Sequence, residues 1–411
     1  MANILDFIKW RGDIPFQNLP VGEVDALILS YLSYMRYEGL VGEDVLGEGV
    51  RVADAASALL EREERARNSM SYSLKDDARL LALLVSSERF GEARLVGYVN
   101  RVDQETEKQF SAVTLLLGDG TAFISFRGTD NTVVGWKEDF NMSFETAVPA
   151  QLEAVAYLRH VSAQIDRPLI LGGHSKGGNL AAYAGMFVQD EVRERIVEVY
   201  NFDGPGFNET VTASPAFSRV DMRIHTFVPH SSMIGILLWH HEPFTVVRSD
   251  GVGVFQHNAY TWQVMGGRFV TVSARTSNSH FADDTLKRWL RSLTPQMRRQ
   301  TIDGIYALLN VSDGQRVGEL FDARSVLGIV RSAGSMDEET RDALLESFRL
   351  LGDALVEAVP GWIDRTASDI RHRVTGDRRA LEAPADAQEP GAQPEAQAPA
   401  GEQEEKTRED A

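Results

Sequence analysis

Residues 173–177, GHSKG, constrain the fold of this chain more than any other feature. They follow a short apolar run at 169–171 and precede a stretch of small residues, 178–186, that is predicted to be helical. G-x-S-x-G between a strand and a helix is the pattern of a sharp turn. Its glycines make room for crowded backbone, and strain holds the serine hydroxyl clear of the sheet. The pattern therefore predicts Ser175 as a nucleophile at the end of a buried parallel strand.

Strand and helix patterns alternate on both sides of this turn. Two β-rich apolar runs flank Gly118-Asp119-Gly120, which predicts a hairpin. Helical periodicity follows at 149–160, and strands are predicted at the runs IVEVYNF and MRIHTFVP. This alternation predicts an α/β fold with a mainly parallel sheet. Together with the serine turn it indicates an α/β-hydrolase, lipase-like fold.

Both ends of the chain have a different character. Helical periodicity runs from about residue 19 to 70 and again from 283 to 379, whereas the last thirty residues are rich in Ala, Pro, Gln and Glu with no aromatic residue. We therefore expect an N-terminal helical lead-in (1–92), an α/β-hydrolase core (93–282), a C-terminal helical region (283–380) and a disordered acidic tail (381–411).

Composition excludes several classes of function. The formal net charge of −18, from 60 acidic and 42 basic residues, would repel phosphate, so we expect no nucleic-acid partner. The absence of cysteine excludes disulfides, thiolate zinc sites and a cysteine nucleophile. No H-E-x-x-H or comparable ligand spacing occurs, and we expect no metal and no cofactor.

The compartment is predicted from the distribution of apolar residues. Asp6 and Lys9 interrupt the stretch where a secretory signal would need an apolar run, and no apolar segment approaches 18 residues. We expect a cytoplasmic protein, with peripheral membrane contact left open. The longest apolar segment, 233–239 (MIGILLW), is expected in the core or in a pocket wall.

A serine nucleophile needs a base that is oriented by an acid, in the chain order Ser, Asp, His. Asp203 lies in NFDGPGF at the end of a predicted strand, where the active-site loops of open α/β sheets gather. The alternative is that Asp203 only caps its Gly-Pro turn. Asp221 and Asp250 are rival acids.

The base should lie on a loop after the last strands of the sheet. His257 ends a strand-like segment, 245–256, and is the favoured base. His240 and His241, next to the apolar segment 233–239, are the alternatives.

Two backbone N–H groups should bind the oxyanion, one from the residue after the nucleophile and one from an early loop. The backbone N–H groups of Lys176 and Thr129 are predicted to supply them, and the plain alternative for Lys176 is that its side chain simply points to solvent. Trp136 and Asp139, shortly after Thr129, are at least as well explained as braces of their loop.

Several segments resemble known families. FISFRGTDNTVVGWKEDF and GGHSKGGNLAAYAG resemble the oxyanion loop and the serine turn of class 3 lipases. NILDFIKWRGDIPF, GHSKGGNLA, NFDGPGF, VPHSSMIGILL and FQHNAYTWQV together resemble the Mbeg-like bacterial family of unknown function, which is related to those lipases. Class 3 lipases usually place an aspartate just after the next strand, where this chain has VPHSS and no acid. NFDGPGF is instead similar to the L-D-P-A-G-P region of pancreatic-type lipases, and this similarity implies Asp203 as the acid.

Two functions follow as hypotheses. The first is a carboxylic ester hydrolase that uses Ser175, His257 and Asp203 on a small-molecule acyl or lipid ester, with thioesters and amides left open. The second is a non-catalytic α/β-hydrolase module that binds a protein partner. The complete set of acid, base and nucleophile in the expected order favours the first.

Overall fold

The computed structural model of this chain describes residues 1–65, 73–103, 108–129, 142, 147–294, 296–298 and 300–301, together with 339, 341–343, 345–354, 356–361 and 365–366. Within these residues, eight strands form one sheet in which each strand lies beside the strand that precedes it in the chain. The strands of this sheet are β1 (Val50–Arg51), β2 (Arg94–Asp103), β3 (Lys108–Leu116), β4 (Ala122–Phe126), β5 (Leu169–His174), β6 (Ile196–Phe202), β7 (Ile224–Pro229) and β8 (Phe244–Val247).

The sheet changes from antiparallel to parallel at β4. β1 to β4 pair antiparallel, and β4 to β8 pair parallel. A second, two-stranded sheet is formed by β9 (Val264–Met265) and β10 (Arg268–Phe269). The mainly parallel α/β sheet that the sequence predicted is confirmed. The carboxyl ends of β4, β5, β6 and β7 consequently share one edge.

The predicted hairpin is confirmed as the connection between β3 and β4. Gly120 has φ of 91°, a left-handed conformation that glycine adopts without steric cost. The Asp119 carboxylate accepts hydrogen bonds from the Thr121 amide at 2.9 Å and from the Thr121 hydroxyl at 2.7 Å. This turn brings β4 back beside β3, in position to pair with β5 on its other side.

Helices cover both faces of the sheet. The described helices are α1 (Ile4–Arg11), α2 (Glu23–Tyr31), α3 (Val52–Arg65), α4 (Ser73–Val85), α5 (Glu88–Gly91), α6 (Pro149–Gln164), α7 (Lys176–Phe187), α8 (Asp190–Arg193), α9 (Glu209–Thr212) and α10 (Ser277–Ser292). Strand side chains alternate between the two faces: Ile170 packs with the N-terminal helices, and its neighbour Leu171 packs with α6 and α7. The N-terminal helices therefore close one face of the eight-stranded sheet.

The N-terminal region is less helical than predicted. In place of one helical stretch over 19–70, α2 ends at Tyr31, a 3₁₀ turn covers Leu32–Tyr34, and residues 35–49 are turns that lead into β1. Gly39 and Gly49 both have φ of 70°, which breaks the helical path. Residues 66–72 lie outside the described part of the chain.

A buried ion pair ties the N-terminal elements together. The Arg89 guanidinium, on α5, donates to both oxygens of the Asp25 carboxylate on α2, at 2.7 and 2.8 Å. It also donates to the carbonyl oxygens of Ile14, Leu19 and Pro20 at 2.9 to 3.1 Å. The Arg89 side chain is 0% exposed and that of Asp25 is 4% exposed. All five N–H groups of this arginine are thus used, which compensates for the burial of its charge.

The C-terminal helical region is described in part. In α10, the Trp289 indole N–H donates to the Ser347 carbonyl oxygen at 2.9 Å, and Leu290 packs with Leu238 of the apolar segment 233–239. Residues 1–363 form one compact unit. The four-part division of the chain stays a prediction, and its acidic tail, 381–411, lies outside the described residues. No described helix combines the length and the apolar character needed to cross a bilayer.

We predict that removing one partner of the buried ion pair is far more damaging than removing both. Arg89→Leu leaves the Asp25 carboxylate buried without a counter-charge, so the free energy of unfolding should fall by about 3–5 kcal/mol. Urea denaturation measures this loss. The double variant Arg89→Leu/Asp25→Leu should lose less. Arg79→Ala, which removes an exposed pair with Asp76, should change the free energy by about 0–1 kcal/mol. Equal losses in the single and double variants would contradict the role assigned to the pair.

Candidate active site

The serine turn lies between β5 and α7. Ser175 has φ of 58° and ψ of −136°, a backbone conformation that residues other than glycine rarely adopt. Its amide donates to the Phe202 carbonyl oxygen at 2.9 Å, and its own carbonyl oxygen accepts from the Gly178 amide at 2.9 Å. Contacts with β6 and with the first turn of α7 therefore hold the strained residue in place.

The glycines of the turn are required by close backbone contacts. A Cβ atom on Gly173 would lie 2.2 Å from the Gly177 backbone, and one on Gly177 would lie 2.1 Å from the Phe126 carbonyl oxygen. No side chain fits at either position. The strand-to-helix turn can close against the end of β4 only with glycine on both sides of the serine.

Asp203 directly follows β6 and is completely buried. One carboxylate oxygen, Oδ2, accepts a hydrogen bond from His257 Nδ1 at 2.7 Å. The other, Oδ1, accepts from the Ser232 hydroxyl at 2.5 Å and from the Gly235 amide at 3.1 Å. The carboxylate is thus held by partners from two other segments of the chain, 232–235 and the turn that ends at His257, rather than acting only as the cap of its own turn.

His257 ends a 3₁₀ turn, Gly253–His257, after the last strand of the large sheet. Its side chain is 27% exposed, while that of Asp203 is 0% exposed. Because Nδ1 faces the carboxylate, Nδ1 carries the proton in the neutral imidazole and Nε2 is the basic nitrogen. This is the tautomer that a general base of a Ser-His-Asp triad requires.

The rival residues have other partners. His240 Nδ1 contacts the buried Glu242 carboxylate at 2.9 Å, and the His241 ring packs edge-on against Phe217. Asp250 pairs with the N-terminal ammonium group and accepts from the Gln263 side chain. Of Asp221 the structure describes the backbone only. Among the described candidate residues, the structure joins Asp203 with His257.

Ser232 and Gly235 are contributors that sequence reasoning missed. In the sequence, the segment VPHSS was notable only for having no acid, where the resemblance to class 3 lipases implied one. The structure places the Ser232 hydroxyl against the Asp203 carboxylate. The only sequence signal was the position of Ser232, shortly after β7, whose end lies at the same edge of the sheet as that of β6.

The predicted oxyanion residues lie on both sides of the turn. Lys176 is the first residue of α7, where backbone N–H groups point out of the helix N-terminus. Thr129 follows β4, and a Cβ on the preceding residue, Gly128, would lie 2.9 Å from Ser175 Cβ. This contact brings the loop after β4 against the serine. Trp136 and Asp139 lie outside the described residues.

The Lys176 side chain does not point to solvent, so that alternative is excluded. The residue is 1% exposed, and its ammonium group donates to the Gln109 carbonyl oxygen at 3.1 Å. The side chain reaches the start of β3, where Gln109 lies. A cation is therefore buried beside the serine turn.

A network of buried amides braces the loop that carries Asp203. Gln151, on α6, donates to the Asn179 side chain at 2.7 Å. Asn179, on α7, donates in turn to the carbonyl oxygens of Pro205 and Gly206 at 3.2 and 2.8 Å. Two helices on one face of the sheet thus fix the turn after the acid.

His174, the residue before the serine, is also buried. Its Nε2 lies 2.7 Å from the His257 carbonyl oxygen, and its Nδ1 lies 3.0 Å from the Tyr34 hydroxyl. Burial, and then the neighbouring His257, lower the pKa of His174 well below the ordinary histidine value of 6.5. His174 is therefore neutral at pH 7.

A mainly parallel sheet with helices on both faces and a strand-serine-helix turn at its centre define an α/β-hydrolase fold. The family model of Mbeg1-like proteins matches residues 84–307, more than half of the chain. The chain belongs to the Mbeg1-like family, which confirms the resemblance found in its sequence.

Solved lipase structures are similar to parts of this chain. A complex of Rhizomucor miehei lipase with its propeptide matches at 17% identity and a TM-score of 0.29, over 38% of this chain and 57% of that chain. M37 lipase matches at 14% identity and a TM-score of 0.31, over 51% of this chain and 68% of that chain. This chain thus spans little more than half of the Rhizomucor lipase. A search of curated proteins found no match.

We predict that Gly177→Ala deforms the serine turn. The new Cβ would lie 2.1 Å from a backbone oxygen of β4, so the free energy of unfolding should fall by about 1–3 kcal/mol or more. The control is Gly185→Ala on the same helix, where a Cβ would meet its neighbours at 3.6 Å or more. That variant should be neutral or more stable by about 0.5–1 kcal/mol. Urea denaturation of both variants decides, and equal stabilities would contradict this account.

The buried, neutral His174 predicts a pH dependence of stability. Below about pH 6.5 the unfolded chain gains a proton at this residue that the folded chain excludes. The free energy of unfolding should therefore fall with pH by up to about 1.36 kcal/mol per unit from this residue alone. His174→Gln should remove this contribution, and His160→Gln, at an exposed histidine of α6, controls for the loss of an imidazole. Parallel stability curves for the native protein and His174→Gln between pH 7 and 5 would contradict the prediction.

Proposed function

We propose that this protein is a serine hydrolase that cleaves carboxylic esters, with Ser175 as nucleophile, His257 as base and Asp203 as acid. The observation that carries the proposal is the 2.7 Å hydrogen bond between the buried Asp203 carboxylate and His257 Nδ1. It stands beside a serine held in a strained strand-to-helix turn. Strain at a residue other than glycine is stored at functional sites.

The reaction follows from these positions. Ser175 Oγ attacks the acyl carbon while His257 Nε2 takes its proton, and the Asp203 carboxylate stabilises the imidazolium that forms. The backbone amides of Thr129 and Lys176 donate to the oxyanion. His257 then returns the proton to the leaving alcohol. Water, activated by the same imidazole, attacks the acyl-enzyme and releases the carboxylic acid together with free Ser175.

The electrostatic surroundings favour negative charge on the reacting oxygen. Ser175 is the N-cap of α7, whose twelve residues place a positive dipole end behind the serine. The side chain of Lys176, the residue after the serine, is buried, and its ammonium group donates to the Gln109 carbonyl oxygen. In a site of low dielectric constant, both contributions act more strongly than they would in water.

An apolar acyl or lipid ester is the substrate class that these surroundings favour. Val252 and Phe255, five and two residues before His257, are 79% and 74% exposed. The segment 233–239 contacts Asp203 through the Gly235 amide and continues into the buried Ile236 and Leu238. Apolar residues thus follow the contact with the acid and closely precede the base in the chain, and an acyl chain that covered the exposed ones would gain free energy from burial.

We predict that a fluorophosphonate probe labels the native protein and that Ser175→Ala is not labelled. His257→Ala should lose hydrolysis of p-nitrophenyl esters by at least about 10³-fold, because the serine loses its base. Asp203→Asn should lose about 10⁴-fold, because the amide favours the wrong tautomer of His257. A series from acetate to decanoate tests the acyl preference. A thioester and an anilide of the same acyl group test the bond type.

His240→Ala is the matched control, since His240 pairs with Glu242 and not with Asp203. Thermal unfolding checks that both proteins are folded. The rate of ester hydrolysis of this variant should then equal that of the native protein. If folded native protein neither reacts with the probe nor hydrolyses any ester, the proposal is wrong. The non-catalytic module that binds a protein partner then replaces it.

A further inference from the structure

His257 is held at two points, of which Asp203 is only one. The second is its own backbone carbonyl oxygen, which lies 2.7 Å from His174 Nε2. The two imidazole rings also pack together, with their centroids 4.4 Å apart and their planes tilted by 36°. The residue before the nucleophile therefore contacts both the backbone and the side chain of the proposed base.

Hydrogen-bond chemistry determines which nitrogen of His174 carries the proton. A carbonyl oxygen can only accept, so Nε2 must donate to His257. In a neutral ring Nδ1 is then an acceptor, and it accepts a hydrogen bond from the Tyr34 hydroxyl at 3.0 Å. The His257 carbonyl thus selects the tautomer of His174, and the Tyr34 hydroxyl, which also lies 3.2 Å from the His174 carbonyl oxygen, is placed to stabilise it.

The N-terminal region supplies further contacts to the same loop. The Tyr260 hydroxyl, three residues after His257, donates to the Asp77 carboxylate on α4 at 2.7 Å. The Asn3 side chain donates to the Tyr260 carbonyl oxygen at 3.0 Å. Tyr31 of α2 packs against both His174 and Tyr260, with ring centroids 5.2 Å apart in each case. Residues 1–92 therefore contact the loop of the base directly.

We propose that His174 is a positioning residue for the base: its Nε2–H group holds the His257 carbonyl, and the Tyr34 hydroxyl stabilises the tautomer that makes this possible. The inference rests on the proposed function, because it assigns His257 as the base. With the carbonyl and Nδ1 both anchored, the imidazole of His257 is held in one orientation. Displacement of a reacting group by about 1 Å costs on the order of 10²-fold in rate.

Three variants distinguish the effect of the His174 Nε2–H donor from the effect of the His174 ring. His174→Phe keeps an aromatic ring beside His257 but leaves its carbonyl without a donor. His174→Gln restores an N–H donor near the Nε2 position, and Tyr34→Phe removes only the hydroxyl. We expect kcat for p-nitrophenyl butyrate to fall by about 10²-fold in His174→Phe, with KM unchanged. His174→Gln should recover most of kcat, and Tyr34→Phe should lose less than His174→Phe in the same parameter.

Thermal unfolding identifies any variant that fails to fold, in which case the other two carry the test. If folded His174→Phe and Tyr34→Phe hydrolyse the ester at the native rate, the inference is wrong while the proposed function stands. A KM increase with unchanged kcat would also overturn it, because that result reports substrate binding and not the orientation of the base.

A second measurement is independent of activity. The His257 Nδ1–H proton, which bonds to Asp203, should give a downfield NMR resonance in the native protein and in Ser175→Ala. In His174→Phe this resonance should broaden or shift, and in His174→Gln it should return toward the native position. An unchanged resonance in His174→Phe would overturn the positioning role. If native protein shows this resonance but is not labelled by the fluorophosphonate probe, the proposed function is overturned instead.

Discussion

The left-handed conformation of Ser175 is the constraint on which the rest of the site depends. A serine with φ of 58° costs about 1–3 kcal/mol relative to a relaxed backbone and persists only where surrounding contacts compel it. Those contacts come from β4 through Gly177, from β6 through the Phe202 carbonyl oxygen, and from the first turn of α7. The parallel order of β4, β5 and β6 is therefore a requirement of the serine turn.

The same strand order explains how the acid can stand after β6. Parallel strands end at one edge of the sheet, so groups that follow adjacent strands meet there. Asp203, after β6, and Ser232, after β7, touch at 2.5 Å. The segment after β7, where the resemblance to class 3 lipases implied an acid, thus holds a hydroxyl that donates to Asp203.

The N-terminal helices are connected to the site through direct contacts. Arg89 ties α5 to α2 and to the turn before it, using every N–H group of its guanidinium. α2 leads directly into the 3₁₀ turn that ends at Tyr34, and Tyr34 contacts His174. A buried charge pair far from the serine in sequence therefore supports the face of the sheet on which the His257 loop rests.

The sequence by itself determined the strand-serine-helix turn, the hairpin before β4 and the mainly parallel sheet. Each of these depends on local patterns: glycine spacing, apolar runs and turn residues. It also favoured Asp203 and His257, but only by chain order and by a resemblance, with Asp221, Asp250, His240 and His241 as rivals. Tertiary structure decided which acid meets which histidine, because residues 54 positions apart are joined only by the packing of strands and loops. It alone decided that Lys176 is buried, that Ser232 holds the acid and that His174 meets the His257 carbonyl, since these contacts depend on distances between segments that have no periodic signal in the sequence.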